Sequence, residues 1–148
     1  MEIDKNGIAT GDTKEDKKQR KQFIIDFYRK WIVDNPSKRL YNKSLKAFIE
    51  VRFLSIEETA GHASTNYKST VSVTFLSEII ENAVVSKDEK GNIATEIPKP
   101  NVKNQLRFSK LFIMIYEKVG FGKVKLTVGE LRGSGQKIQY CITAIKND

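Results

Sequence analysis

Lysine and arginine are the residues whose number and spacing in this chain could do chemistry, and that chemistry is the neutralisation of a polyanion. Lys103, Arg107, Lys110 and Lys118 follow one another at intervals of four, three and eight. Lys123 and Lys125 alternate with apolar neighbours, and Arg132 and Lys137 bracket Gly133-Ser-Gly135. Cations along a helix can track phosphates, and a β-ribbon with cations at its tip and on one face can lie in a groove of duplex nucleic acid. The same pattern also describes a solvated face beside an edge strand protected by lysine.

The charge is spread unevenly. Residues 1–13 carry a net −2, residues 14–50 a net +6, residues 51–100 a net −2 and residues 101–148 a net +6, which gives +8 overall. Two basic blocks flanking an acidic middle, in a chain of pI about 9.5, point to nucleic acid as partner. In the first block, Lys17, Lys18, Arg20 and Lys21 precede an apolar stripe and read as solvated. Lys38, Arg39, Lys43 and Lys46 match no known reader spacing.

Other chemistries have fewer residues to work with. His62 is the sole histidine and Cys141 the sole cysteine. A nucleophilic device would have to pair His62 with Ser64 or Cys141, and nothing in the sequence positions an acid or an oxyanion hole. One His and one Cys do not make an ordinary zinc site. Glu50, Glu57, Glu58, Glu78 and Glu81 could hold Mg²⁺ in a nuclease, but no acid pair precedes a Glu-x-Lys on adjoining strands. Gly120-Phe-Gly122 and Gly133-Ser-Gly135 have turn roles and precede no helix, so neither is a phosphate loop. Phe23, Phe27, Tyr28, Trp31, Phe108, Phe112 and Tyr116 fall at helical core spacing. Tyr67 is the aromatic that looks exposed, with Tyr41 undecided. The sequence therefore predicts no cofactor, no metal and no catalytic residue.

The elements that must position the cations follow from periodicity. Residues 1–12 read as a flexible tail, followed by one α+β domain over 13–148. Its first helix opens at Thr13, with Asp16 three residues on, and stops at Asn35-Pro36. Residues 37–54 fit a helix from about Lys43 to Leu54, or a strand through Ile49, Val51 and Phe53; the helix is the expectation. Ser55-Ile-Glu-Glu58 is a capping box for a helix over 56–63. Val71, Val73 and Phe75 alternate as a strand, and Leu76, Ile79, Ile80 and Ala83 return to helical spacing. Residues 86–100 form an exposed loop. Phe108, Leu111, Phe112, Ile115, Tyr116 and Val119 predict a helix from Asn101 or Asn104 to about Lys118. Two alternating runs, Val124–Val128 and Ile138–Ala144, then make an antiparallel hairpin around Gly133-Ser-Gly135. The expected architecture is a mainly helical first half, then a C-terminal helix and a hairpin in a small sheet.

The longest apolar run, Leu111–Tyr116, is too short to span a bilayer, and the first residues lack the basic and apolar regions of a signal peptide. A single cysteine suits a reducing compartment. The expectation is a cytoplasmic, non-enzymatic protein that binds the phosphate backbone of DNA or RNA without sequence preference. The nucleic-acid contacts are assigned to Lys103, Arg107, Lys110, Lys123, Lys125, Arg132 and Lys137. The rival readings are a structural or protein-interaction module, which could pair with a second copy through the hairpin edge, and the glutamate-dependent nuclease.

Overall fold

The computed structural model describes residues 1–146, so the last two residues of the expected 13–148 domain lie outside the described residues. Helix α1 (Lys14–Asp34) begins where the Thr13 Oγ1 accepts the Asp16 N–H at 3.1 Å and the Asp16 carboxylate accepts the Thr13 N–H at 3.0 Å. Two otherwise orphaned amides are thereby satisfied. A hairpin of β1 (Arg39–Asn42) and β2 (Ala47–Glu50) follows, then α2 (Phe53–Ala63), α3 (Tyr67–Val73) and α4 (Leu76–Asn82). Two short strands, β3 (Val84–Val85) and β4 (Thr95–Glu96), lead to the long meander of β5 (Phe108–Lys118), β6 (Gly122–Leu131) and β7 (Lys137–Ala144).

These strands form one mixed seven-stranded sheet in the order β1-β2-β7-β6-β5-β3, with β4 also on β5. The β2–β7 pair is parallel, and the other pairs are antiparallel. The Val85 N–H, on β3, donates to the Ser44 Oγ in the β1–β2 turn at 3.0 Å. Elements from the two ends of the strand order thus meet, and the sheet curls around the helices.

One sheet face carries Phe112, Met114, Val124, Leu126, Val128 and Ile142 into the main core against Ile24, Tyr28, Trp31, Ile56, Ala60 and Ile80. A register shift between Thr127 and Val128 pairs them with Cys141 and Gln139, leaving Tyr140 between. That bulge turns Gln139 toward the helices. Ile138 and Tyr140 join Leu54, Phe108 and Leu111 in a second apolar cluster. Gly129 is required there, since a Cβ on it would stand 2.5 Å from the Phe108 ring.

The expected architecture is corrected in three places. The predicted helix over 101–118 is a 3₁₀ turn (Lys103–Gln105) followed by strand β5. The helical spacing of Phe108, Leu111, Phe112, Ile115 and Tyr116 is real, but Ile113 and Met114 fill what would be the polar side. A continuous apolar run rich in aromatic and β-branched residues suits a central strand covered on both faces. The sheet is therefore large, not a small hairpin appended to a helix. Residues 39–50 are the β1–β2 hairpin instead of a helix from Lys43. The predicted strand at 71–75 is α3, because the Asn66 side chain caps it by accepting the Ser69 N–H at 2.8 Å. Its Thr70 and Ser72 hydroxyls bond backward to carbonyls, Thr70 to Ala63 at 2.9 Å and Ser72 to Ser69 at 2.6 Å.

Helix α2 starts three residues earlier than its capping box implied. Ser55 sits at the third helical position, accepts the Arg52 N–H at 3.0 Å and donates to the Gln139 carbonyl. Residues 1–12 are seated against α1: Ile8 and Ala9 are fully buried, and the Gln19 amide bridges the Ala9 N–H and the Gly7 carbonyl at 2.8 and 2.6 Å.

Leu111 is buried within the second cluster. Leu111→Ala is expected to lower stability by about 2–5 kcal/mol, read as a fall in the urea midpoint with an unchanged slope. A change within error of zero would mean that the cluster collapses around the cavity.

Candidate nucleic-acid interface

The β6–β7 turn holds Gly133 and Gly135 at φ 83° and 72°, a left-handed geometry that residues with a Cβ rarely adopt. The Gly135 N–H donates to the Leu131 carbonyl at 3.0 Å, and the Leu131 N–H to the Gln136 carbonyl at 2.9 Å. Arg132 ties this turn to the segment before β5. Its backbone N–H donates to the Arg107 carbonyl at 3.0 Å, and its Nε to the Leu106 carbonyl at 3.1 Å. The 3₁₀ turn places Lys103 just upstream, where its carbonyl accepts the Leu106 N–H at 3.3 Å. Lys103, Arg107 and Arg132 therefore share one end of the sheet. All three are exposed, and among the described residues none stands in an ion pair.

Lys110 and Lys137 are close by but already engaged. They flank Glu130 in a cross-strand row, with Nζ to carboxylate distances of 3.7 and 2.9 Å. Both ammonium groups also stand over the Phe112 ring, 5.6 and 5.9 Å from its centroid. The hydrogen bond from Lys137 holds the Glu130 carboxyl below its ordinary value of 4.5, with Ser109 and Lys110 adding to the effect against partial desolvation.

Lys123 and Lys125 belong elsewhere. Seven residues of strand separate Lys123 from Glu130, about 24 Å at the usual rise. Lys123 pairs across from Glu117. Lys118, assigned to the same basic helix face, is instead bonded to Glu78 at 2.6 Å. The seven candidate residues thus divide between the two ends of the sheet. In the N-terminal basic block, Lys17, Lys18 and Lys21 are exposed, but Arg20 is fully buried. Its guanidinium donates to the carbonyls of Ala9, Gly11 and Ser64 at 2.9, 2.5 and 2.9 Å.

The sequence reading missed the aromatics of the β1–β2 hairpin. Tyr41 and Phe48 are cross-strand partners, about half exposed, with ring centroids 5.3 Å apart and planes at 75°. The Arg39 guanidinium lies 4.5 Å from the Phe48 centroid. The Leu40/Tyr41 and Phe48/Ile49 alternation was the available signal, hidden by the competing helical pattern. Tyr67, expected to be exposed, is half-buried and donates to the Asp4 carboxylate at 2.5 Å.

On the same outer face, Leu111, Ile113, Lys125, Thr127, Tyr140 and Cys141 floor a cleft of about 370 Å³, with Glu58 and His62 on its α2 side. His62 Nε2 stands 3.4 Å from the Glu58 carboxylate, which also accepts from Asn104. Burial pushes the Cys141 thiol up to about 12, with Glu58 adding to it, so it carries a proton and is no nucleophile near neutral pH. Ser64 is buried, and its carbonyl serves Arg20. Among the described residues, no group of three or more His, Cys, Asp or Glu side chains is placed to hold a metal ion. Glu50 pairs with Arg52, Glu58 with His62 of its own helix and Glu78 with Lys118 of β5, so the three do not converge on one ion. No helix among these residues is long and apolar enough to cross a membrane.

Comparison of the chain with protein-family models, with curated proteins and with solved structures finds no match.

A carboxyl whose pKa is depressed on folding contributes stability above its unfolded value and loses it as the pH falls through the folded one. Glu130→Gln is accordingly expected to cost about 1 kcal/mol at pH 7 and progressively less below pH 4.5. Urea midpoints of both proteins at pH 7 and pH 3 check this. A gap of equal size at both values would show that the carboxylate charge is not its source.

Proposed function

We propose that the protein binds the phosphate backbone of nucleic acid through the cationic end of its sheet, without sequence preference and without catalysing a reaction. The observation that supports this is the convergence of Lys103, Arg107 and Arg132, exposed and free of ion pairs, on one glycine turn fixed by the Arg132 hydrogen bonds. Guanidinium groups suit phosphate because their planar forks donate in pairs. Each phosphate neutralised releases counterions, so affinity falls steeply with salt. Lys110 and Lys137 reinforce the local potential, although Glu130 offsets part of it. A cytoplasmic setting belongs to this proposal, in keeping with a single protonated thiol.

Fluorescence anisotropy with a labelled oligonucleotide tests the reading. The parent should bind with a dissociation constant on the order of 10⁻⁴–10⁻⁶ M near physiological salt. Replacing Lys103, Arg107 and Arg132 by Ala together should weaken binding and flatten the salt slope by about two to three units. Lys123→Ala with Lys125→Ala should leave the slope unchanged. A parent that does not bind at low ionic strength overturns the proposal.

One observation favours a protein-interaction role as second reading. Phe53, 73% exposed, stands beside Ile25, Ile56 and Ala60 in a groove of about 630 Å³ between α1 and α2, rimmed by Lys21 and Arg29. If that groove joins two copies, sedimentation should show a dimer that Phe53→Ser dissociates.

A further inference from the structure

We infer that the outer face of the β1–β2 hairpin is a base-stacking platform, and that the ligand of this protein is single-stranded nucleic acid. The inference rests on the phosphate-binding reading above and names the form of nucleic acid that the surface takes.

The aromatic side chains of this chain are mostly spent on its cores. Tyr28, Trp31, Phe108, Phe112 and Tyr140 are buried. Tyr41 and Phe48 are 47% and 49% exposed, although they sit directly opposite each other on paired strands. Their neighbours on the same strands turn inward: Asn42 and Ile49 are fully buried. Strand alternation therefore forces both rings outward together. An apolar pair left in water at this position contributes little to folding, which is the condition under which exposed aromatics point to recognition.

The surroundings select the partner. Arg39 stacks on Phe48, and a guanidinium plane offers a nucleobase the same flat surface as an aromatic ring. Lys38 precedes β1 and Arg39 opens it, while Lys43 and Lys46 lie in the turn. All four are exposed, and among the described residues none is in an ion pair. The Glu50 carboxylate on this face is occupied by Arg52 at 2.8 Å. Flat π-surfaces interleaved with free cations match a chain that alternates bases and phosphates. In a duplex the bases are paired and stacked on each other, so a platform of this kind reads unpaired strands.

The platform is continuous with the cationic end. Ile49 is in parallel register with Lys137, so Phe48 precedes that pair on β2 as Gln136 precedes it on β7. Arg52 Nη2 donates to the Gln136 side chain at 2.9 Å, joining the hairpin to the Arg132–Gln136 turn. A strand whose base rests on Tyr41 or Arg39 can carry its backbone on to Arg132 and Arg107.

The test compares a labelled single-stranded oligonucleotide with its duplex of equal length, using the full chain. The parent should prefer the single strand, and 2-aminopurine in the oligonucleotide should be quenched on binding. Tyr41→Leu with Phe48→Leu should weaken single-strand binding about tenfold or more, abolish the quenching and leave the salt slope and duplex binding unchanged. Tyr41→Phe should bind like the parent. Arg39→Gln, which leaves both rings in place, should reduce the quenching. Equal parental affinity for single strand and duplex, with the slope still set by Lys103, Arg107 and Arg132, overturns the platform and spares the backbone reading. A parent that binds neither form overturns both. A leucine variant that binds as the parent does but changes its sedimentation would assign the rings to a second copy and also overturn the platform.

Discussion

The interior is organised around one buried amide. Gln139 is fully enclosed, and a polar side chain there is tolerated only if its groups are paired. Its Oε1 accepts the Tyr28 hydroxyl at 2.5 Å, its Nε2 donates to the Thr59 Oγ1 at 2.9 Å, and its carbonyl accepts Ser55. These bonds join α1, α2 and β7, three elements far apart in sequence. Burial also raises the Tyr28 hydroxyl above its ordinary range, so it stays a donor. The arrangement requires Gln139 to face the helices, and the bulge beside it is what turns it there. The same bulge sends Tyr140 to the opposite face and so creates the second apolar cluster.

A sheet apolar on both faces explains which elements were legible in the sequence. The Thr13–Asp16 box, the Asn35-Pro36 stop and the Leu76–Ala83 helix depend on local chemistry, which neighbouring residues display directly. The strand runs of β6 and β7 alternate because part of each outer face meets water. β5 gives no such alternation, since Phe112 and Met114 serve one core while Leu111 serves the other. Six consecutive apolar residues satisfy a helical template by default. In α3 the tertiary setting overrode strand propensity, and the Asn66 cap was the one local sign of it.

The cations divide in the same way. Arg107 and Arg132 are brought together by backbone hydrogen bonds across 25 residues of sequence, which no linear spacing reveals. Lys123 and Lys125 had the alternation of an outward face, but alternation says nothing about which end of a strand meets the rest of a site. Arg20 looked like one more member of a solvated run. Its distances of four and eight from Ile24 and Tyr28 place it on the buried stripe instead. Tyr41 and Phe48 could be recognised as a pair only once the turn between them was known.

Arg20 also changes what the first dozen residues are. Its three carbonyl partners include Ala9 and Gly11, contributed by a segment that forms little regular structure of its own. A protease cut or a bulky fusion that displaced this strap would remove two of the guanidinium's three carbonyl partners and open it to water. The amino-terminal strap thus acts as a lid over a buried charge, and trimming it would leave the Arg20 guanidinium with the Ser64 carbonyl alone.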